Sequence, residues 1–174
     1  MKTNSIFAFL FFLAFFYLGL SIAYTQTDKV PFDTKEYTLS GTGSFVGEVS
    51  GASISITGTS GNKVMVNYFL KKDGKYFSAS DSEVNEFLED FTIEVSQIWN
   101  RISLTAKQKS SGNWSWRNRP AFSFEISAPK NFNTNIRTSG GAVSLSELNG
   151  RQELASSGGS ISIKNSQREN ISQF

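Results

Sequence analysis

The sequence says nearly the same thing three times. Ser139-Gly140-Gly141-Ala142-Val143-Ser144-Leu145 returns eighteen positions later as Ser157-Gly158-Gly159-Ser160-Ile161-Ser162-Ile163, and Ser50-Gly51-Ala52-Ser53-Ile54-Ser55-Ile56 is an earlier version of the same phrase. Successive side chains of a strand point to opposite sides, so residues two apart share a face. Ile54 and Ile56, Val143 and Leu145, and Ile161 and Ile163 therefore fall on one face, with Ser55, Ser144 and Ser162 on the other. Gly51, Gly140, Gly141, Gly158 and Gly159 stand at the corners, where glycine reaches positive φ at little cost.

Each period divides in two. Ala142 to Leu145 is a strand, Asn149-Gly150 signals a turn, Arg151 to Ala155 is a second strand, and Ser156 to Gly159 is the next corner. Ile136 also returns as Leu154. A unit this short cannot bury its apolar side alone. Coils stacked at ~4.8 Å would place Val143 on Ile161 and Leu145 on Ile163. The pattern thus predicts an all-β protein whose C-terminal half is a short β-solenoid or β-roll-like stack of about eighteen-residue coils. An ordinary β-sandwich with look-alike hairpins is the alternative, and over residues 36–128 the pattern favours neither. Beyond Asn165 the register fails, because Leu148 and Leu154 find Ser166 and Ser172 eighteen positions on. Residues 166–174 read as an irregular tail.

Upstream, residues 1–23 read as a secretory signal: Lys2 is the only charge before Asp28, an apolar run extends from Ile6 to Leu20, and Ser21-Ile22-Ala23 offers small residues for cleavage. An uncleaved anchor is the alternative, since the run is near the ~18-residue lower limit for spanning. Residues 24–35 are a polar lead-in, and 36–165 form a single β-repeat domain. Period-two alternation marks strands through Val64, Val66 and Tyr68, through Ile93 and Val95, through Ile102 and Leu104, and through Phe122, Phe124 and Ile126. One segment, near 81–90, reads instead as a helix covering an edge or end of the sheet. Ser80 and Glu83 have capping-box spacing, and Val84, Phe87 and Leu88 make one apolar stripe.

Composition narrows the chemistry. There is no His, which removes the commonest general base and metal ligand, and no Cys, which removes thiol catalysis, disulfides and lipid attachment. The formal net charge is +2 with scattered basic residues, so nothing marks a nucleic-acid surface.

Taken together, "SGASISITGTSGNKVMVNYFLKK", "SEVNEFLEDFTIEV", "AFSFEISAPKNFNTNIRTSGGAVSLSELNG" and "SSGGSISIKN" follow one another in an order that resembles the bacterial putative-adhesin family, a domain of unknown function with β-strand repeats, over most of residues 45–165. The resemblance implies an exported, repetitive β protein of the cell envelope: periplasmic, surface-exposed or secreted. It implies no catalytic residues.

Three kinds of site can be weighed against the residues. Calcium-binding nonapeptide repeats need Asp at the corners, and these corners carry only Ser, Gly and Ala, so no metal is expected. Glycoside cleavage needs paired carboxylates, but nothing in the spacing pairs Glu94, Glu125, Glu147 or Glu153. The most suggestive cluster is Asn113 to Pro120, where Trp114 and Trp116 share one strand face and Arg117 and Arg119 the other. Aromatics at that spacing can stack on sugars or peptides, or can simply pack on the sheet. The expectation is an adhesin-like binding module without catalysis or cofactor, meeting a surface glycan or an envelope protein, with end-to-end self-association as a further possibility. The alternatives are a structural or regulatory periplasmic envelope protein and a carbohydrate-active β-helix enzyme.

Overall fold

Apolar side chains at every second position build two sheets that face each other. The structure is a computed structural model and describes residues 29–109, 120–166 and 169–173. The strands are β1 (Asp33–Thr38), β2 (Gly43–Val49), β3 (Ser53–Thr59), β4 (Lys63–Lys72), β5 (Lys75–Phe77), β6 (Phe91–Ile98), β7 (Arg101–Gln108), β8 (Ala121–Pro129), β9 (Phe132–Thr138), β10 (Val143–Ser146), β11 (Gln152–Ser156), β12 (Ile161–Lys164) and β13 (Glu169–Gln173), with one helix, α1 (Glu83–Glu89), between β5 and β6. One sheet has seven strands in the order β1-β4-β8-β3-β10-β12, with β5 on β4, and the other has six in the order β13-β11-β9-β2-β7-β6.

Their inner faces share one core. Ile54, Ile56, Val64, Val66, Leu70, Phe124, Ile126, Val143 and Leu145 come from the first sheet, and Phe45, Ile102, Leu104, Phe132, Ile136 and Leu154 from the second. The Tyr68 hydroxyl is buried here without a hydrogen-bond partner among the described residues, whereas the one buried amide is fully paired. The fully buried Gln152 accepts a hydrogen bond from the Thr134 hydroxyl at 2.6 Å and donates to the carbonyls of Phe132 and Gly150, each at 3.0 Å. Such satisfaction is what makes a buried amide tolerable.

This architecture corrects the expected solenoid. The eighteen-residue offset does set strand register: Val143 pairs with Ile161 and Leu145 with Ile163 in parallel, Ile54 and Ile56 lie on the other side of Val143 and Leu145, and Ile136 pairs with Leu154. Those pairs are components of two mixed sheets and do not extend into a stack of successive coils. β4 runs antiparallel to β1, β5 and β8, and β6 antiparallel to β7. The parallel β2 lies between β9 and β7, and β3 between β8 and β10, far from their neighbours in sequence. The result is a sandwich. Alternation at period two reports which face is buried and is silent on whether a neighbouring strand arrives by a coil, a hairpin or a long crossover.

The corner glycines are also used differently from expectation. Gly51 and Gly141 have positive φ, of 71° and 96°, whereas Gly140, Gly158 and Gly159 do not. Gly159 is required for a different reason, because a Cβ there would collide with the carbonyl of Gly141 stacked beneath it. At the chain ends, β1 opens at Asp33, inside the stretch read as a lead-in. Part of the tail forms β13, which pairs with β11 so that Leu154 meets Ile171, not Ser172.

The helix arises where expected, but its entry differs. Val84 and Phe87 are buried and Leu88 half-buried, with Phe77 edge-on to Phe87 at 5.5 Å. The capping box does not form: the N-cap is Ser82, and it makes no side-chain cap bond. Asp81 turns back instead, its carboxylate accepting from the Ser78 amide at 2.7 Å and the Ser78 hydroxyl at 3.0 Å. These bonds, with Lys75 nearby, hold the Asp81 carboxyl below its usual range. A lowered folded-state value contributes stability above the ordinary carboxylate range and loses it as pH falls through that value. The protection factor of the Ser78 amide, its exchange relative to the intrinsic rate at each pH, is therefore expected to fall selectively on acidification below the usual aspartate range, and Asp81→Asn to abolish that pH dependence.

Candidate functional site

The outward faces of the two sheets differ in chemistry. On the seven-stranded sheet, Ser55, Ser144 and Ser162 align in register, as do Thr57, Ser146 and Lys164. Ser146 donates to the Thr57 hydroxyl at 3.1 Å, so this face carries a flat ladder of hydroxyl groups. On the six-stranded sheet the outward positions are mostly charged, amidic or hydroxylic: Ser44, Val46 and Glu48 on β2, Arg101, Ser103, Thr105 and Lys107 on β7, Asn133, Asn135 and Arg137 on β9, and Glu153 on β11 with Arg151 just before it.

Two shallow, open depressions lie along this second face, one at each end of its strands. The larger, of 730 Å³, is lined among others by Glu48, Ser50, Lys107, Arg137, Ser139 and Ser157. Lys107 donates to Glu48 at 3.0 Å and keeps that carboxyl ionised and below its usual range, with the charge of Arg137 adding to the effect. Arg137 itself, exposed and directly across from Glu48 in the β2–β9 register, has no ion pair among the described residues. Ser139 donates to the Ser50 hydroxyl at 2.9 Å and completes a rim of hydroxyls. The smaller depression, of 290 Å³, is lined by Ser44, Arg101, Asn133, Asn135, Arg151 and Glu153 among others. Here Arg151 pairs with Glu153 at 2.6 Å, and Asn135 donates to the same carboxylate at 2.9 Å.

Of the residues singled out in the sequence, Trp114, Trp116, Arg117 and Arg119 lie outside the described residues. The four acids are not brought together. Glu125 faces outward on the other sheet and pairs with Lys29, and Glu147 is bonded to Asn165 at 2.6 Å and lies 3.8 Å from Lys130. Glu94 and Glu153 share an outer face but stand four strands apart, roughly 19 Å at the usual spacing. That exceeds the ~5–9.5 Å that glycoside cleavage requires. Arg101, Arg137 and Lys107 went unnoticed in the sequence because single basic residues on separate strands carry no spacing signal until the sheet aligns them.

One further feature had no sequence signature. The β6–β7 hairpin closes through Trp99-Asn100, and Ile98 and Trp99 at its tip are 65% and 90% exposed. Trp99 has φ 56°, a left-handed conformation that costs a bulky residue about 1–2 kcal/mol. The tip is nonetheless braced. Gln97 donates from its amide to the carbonyls of Thr38 and Trp99, at 2.9 and 2.8 Å, and Asn100 accepts from the Ser40 amide at 3.0 Å.

With this geometry established, the chain can be set beside known proteins. No family model matches it, and neither does any curated protein. The fold is similar to that of a putative cell adhesion protein from Clostridium sporogenes ATCC 15579, with a TM-score of 0.50 and 12% identity, over 81% of this chain and 68% of that one. A putative lipid binding protein from Parabacteroides distasonis ATCC 8503 superposes with a TM-score of 0.35 and 18% identity, over 84% of this chain and 63% of that one. The likeness to the adhesion protein is one of fold. Placement in the putative-adhesin family itself remains with the resemblance read from the sequence.

Proposed function

We propose that this chain is an exported, adhesin-like binding module without catalysis, and that it takes an acid-bearing surface glycan on the outer face of its six-stranded sheet. The observation that carries this reading is the open depression around Arg137. The Arg137 guanidinium, with no ion pair among the described residues, stands beside an ionised Lys107–Glu48 pair and the hydroxyls of Ser50, Ser139 and Ser157. Hydroxyls and amides match the donors and acceptors of sugar rings, and a guanidinium can hold a carboxylate with two parallel bonds. An open trough also admits a segment of a long polymer, which an enclosed pocket would not. The groups lining it are fixed on strands, so little ordering opposes binding.

A glycan array that includes neutral and uronate- or sialate-bearing chains tests the reading. The full-length protein should retain acidic glycans, and less well as salt rises. Arg137→Ala removes an exposed side chain and should leave the fold intact by circular dichroism while lowering affinity about tenfold, the usual effect of deleting a hydrogen bond to a charged group. Retention of no glycan, or equal retention by the variant, overturns the assignment. Trp114→Ala with Trp116→Ala in the same array asks whether binding lies with the aromatic cluster instead.

A further inference from the structure

We propose that the β6–β7 hairpin tip is a membrane-contact device: Ile98 and Trp99 enter the interface of an anionic bilayer while Arg101 and Arg151 hold lipid phosphates in the smaller depression beside them. Folding does not account for the tip. A left-handed φ in a two-residue hairpin loop suits glycine or asparagine, yet Trp99 occupies that position with nine-tenths of its surface in solvent. Ile98 beside it is 65% exposed. The bonds from Gln97 and to Asn100 hold the pair outward instead of letting it fold down. A preorganised tip of this kind loses little freedom when it meets a partner.

The surroundings specify that partner. Arg101 is the cross-strand neighbour of Ile98 and has no ion pair among the described residues. It lines the same depression as Arg151, with Ser44 and Asn133 between them as further polar groups. Lys63, Lys130 and Lys164 lie toward the same end of the molecule with Glu36, Glu147, Glu153 and Glu169; Lys63, Lys130 and Arg151 are each paired with one of these acids, which leaves Arg101 and Lys164 as the cations here without an ion pair among the described residues. Tryptophan favours the headgroup level of a bilayer, aliphatic side chains its apolar side, and basic residues its anionic surface. A sugar ring would use Trp99 but not Ile98, and an enclosed protein pocket would not need the cationic rim.

Trp99, Trp114 and Trp116 are the three tryptophans of the chain. Full-length protein carrying Trp114→Phe and Trp116→Phe therefore reports Trp99 alone by fluorescence. The probe is a set of vesicles of phosphatidylcholine with or without phosphatidylglycerol, with acyl-chain-brominated lipid as the quencher. Because the apolar run near the N-terminus can itself partition into vesicles, the readout is the emission of Trp99, not sedimentation. The expected result is a blue shift and quenching on phosphatidylglycerol vesicles, weakened by salt. Arg101→Gln with Arg151→Gln should reduce the apparent affinity of that signal about tenfold or more, on the scale of one basic residue near an anionic surface apiece. Trp99→Gly separates function from folding. It relieves the left-handed strain and should leave thermal stability unchanged or raised, while a fluorophore attached through Ile98→Cys, the one thiol in the chain, loses its quenching. If Trp99 stays unshifted and unquenched on every vesicle, if its emission responds to acidic glycans and not to lipid, or if Trp99→Gly unfolds the protein, the proposal fails. None of these results touches the Arg137 depression, which lies at the opposite end of the strands and is tested by glycan binding alone.

Discussion

Replacing Gly141 by alanine is expected to cost about 2–5 kcal/mol, whereas the same change at Gly140 should be nearly silent. The two residues are neighbours in one dipeptide and differ only in what the fold asks of them. Gly141 has φ 96° and lies against the carbonyl of Ala52, so a methyl group there faces both a disfavoured backbone conformation and a collision with main chain. The first contributes about 1–2 kcal/mol, and forcing packed strands apart about 1–3 more. Gly140 has no positive φ, and its nearest neighbours, the Gly158 carbonyl at 3.9 Å and the Gly51 Cα at 4.0 Å, are at ordinary contact distance. Urea unfolding of the two variants checks the contrast. Equal stabilities would mean that the β3–β10 approach is looser than described.

Phe124→Ala should have an effect of the same order, about 3–5 kcal/mol, by the cavity it leaves. Phe124 lies in the middle of β8, is 1% exposed, and meets Tyr68 edge-on with centroids 5.5 Å apart. β8 is held by β4 on one side and β3 on the other, so the surrounding backbone cannot collapse inward cheaply. For a domain whose whole stability is of order 5–15 kcal/mol, such a loss lowers the midpoint of thermal unfolding by many degrees.

The inner face of the sandwich was readable from the residues. Ile54, Ile56, Val64, Val66, Tyr68, Phe122, Phe124 and Ile126 alternate with polar neighbours, and each is buried as the alternation requires. Even the register of Val143 on Ile161 follows from the eighteen-residue spacing. What periodicity could not convey was partnership. β2 and β3 look like one more copy of the repeat, but each is inserted between strands from far downstream, and β4 meets its neighbours head to tail. The buried Gln152 was invisible for a related reason: its partners, Thr134 and the Phe132 and Gly150 carbonyls, are assembled by the β9–β11 contact and not by local sequence. The candidate sites were less legible still. Arg137 and Glu48 are 89 positions apart and face each other only because β2 pairs with β9, and the exposure of Trp99 depends on a two-residue turn that no glycine announces.

The insertion of β2 and β3 into the middle of their sheets governs how the molecule can be made. Contacts such as Ser139 to Ser50 close loops of 89 residues, and closing long loops before their contacts are rewarded makes assembly slow. β2 finds its first partner only at β7 and β3 only at β8, and their second sides are covered only when β9 and β10 have been made, so both strands wait for sequence far downstream. The insertion also makes the finished molecule an all-or-none unit: it cannot shed outer layers one at a time, and pulling out either early strand splits a sheet in two.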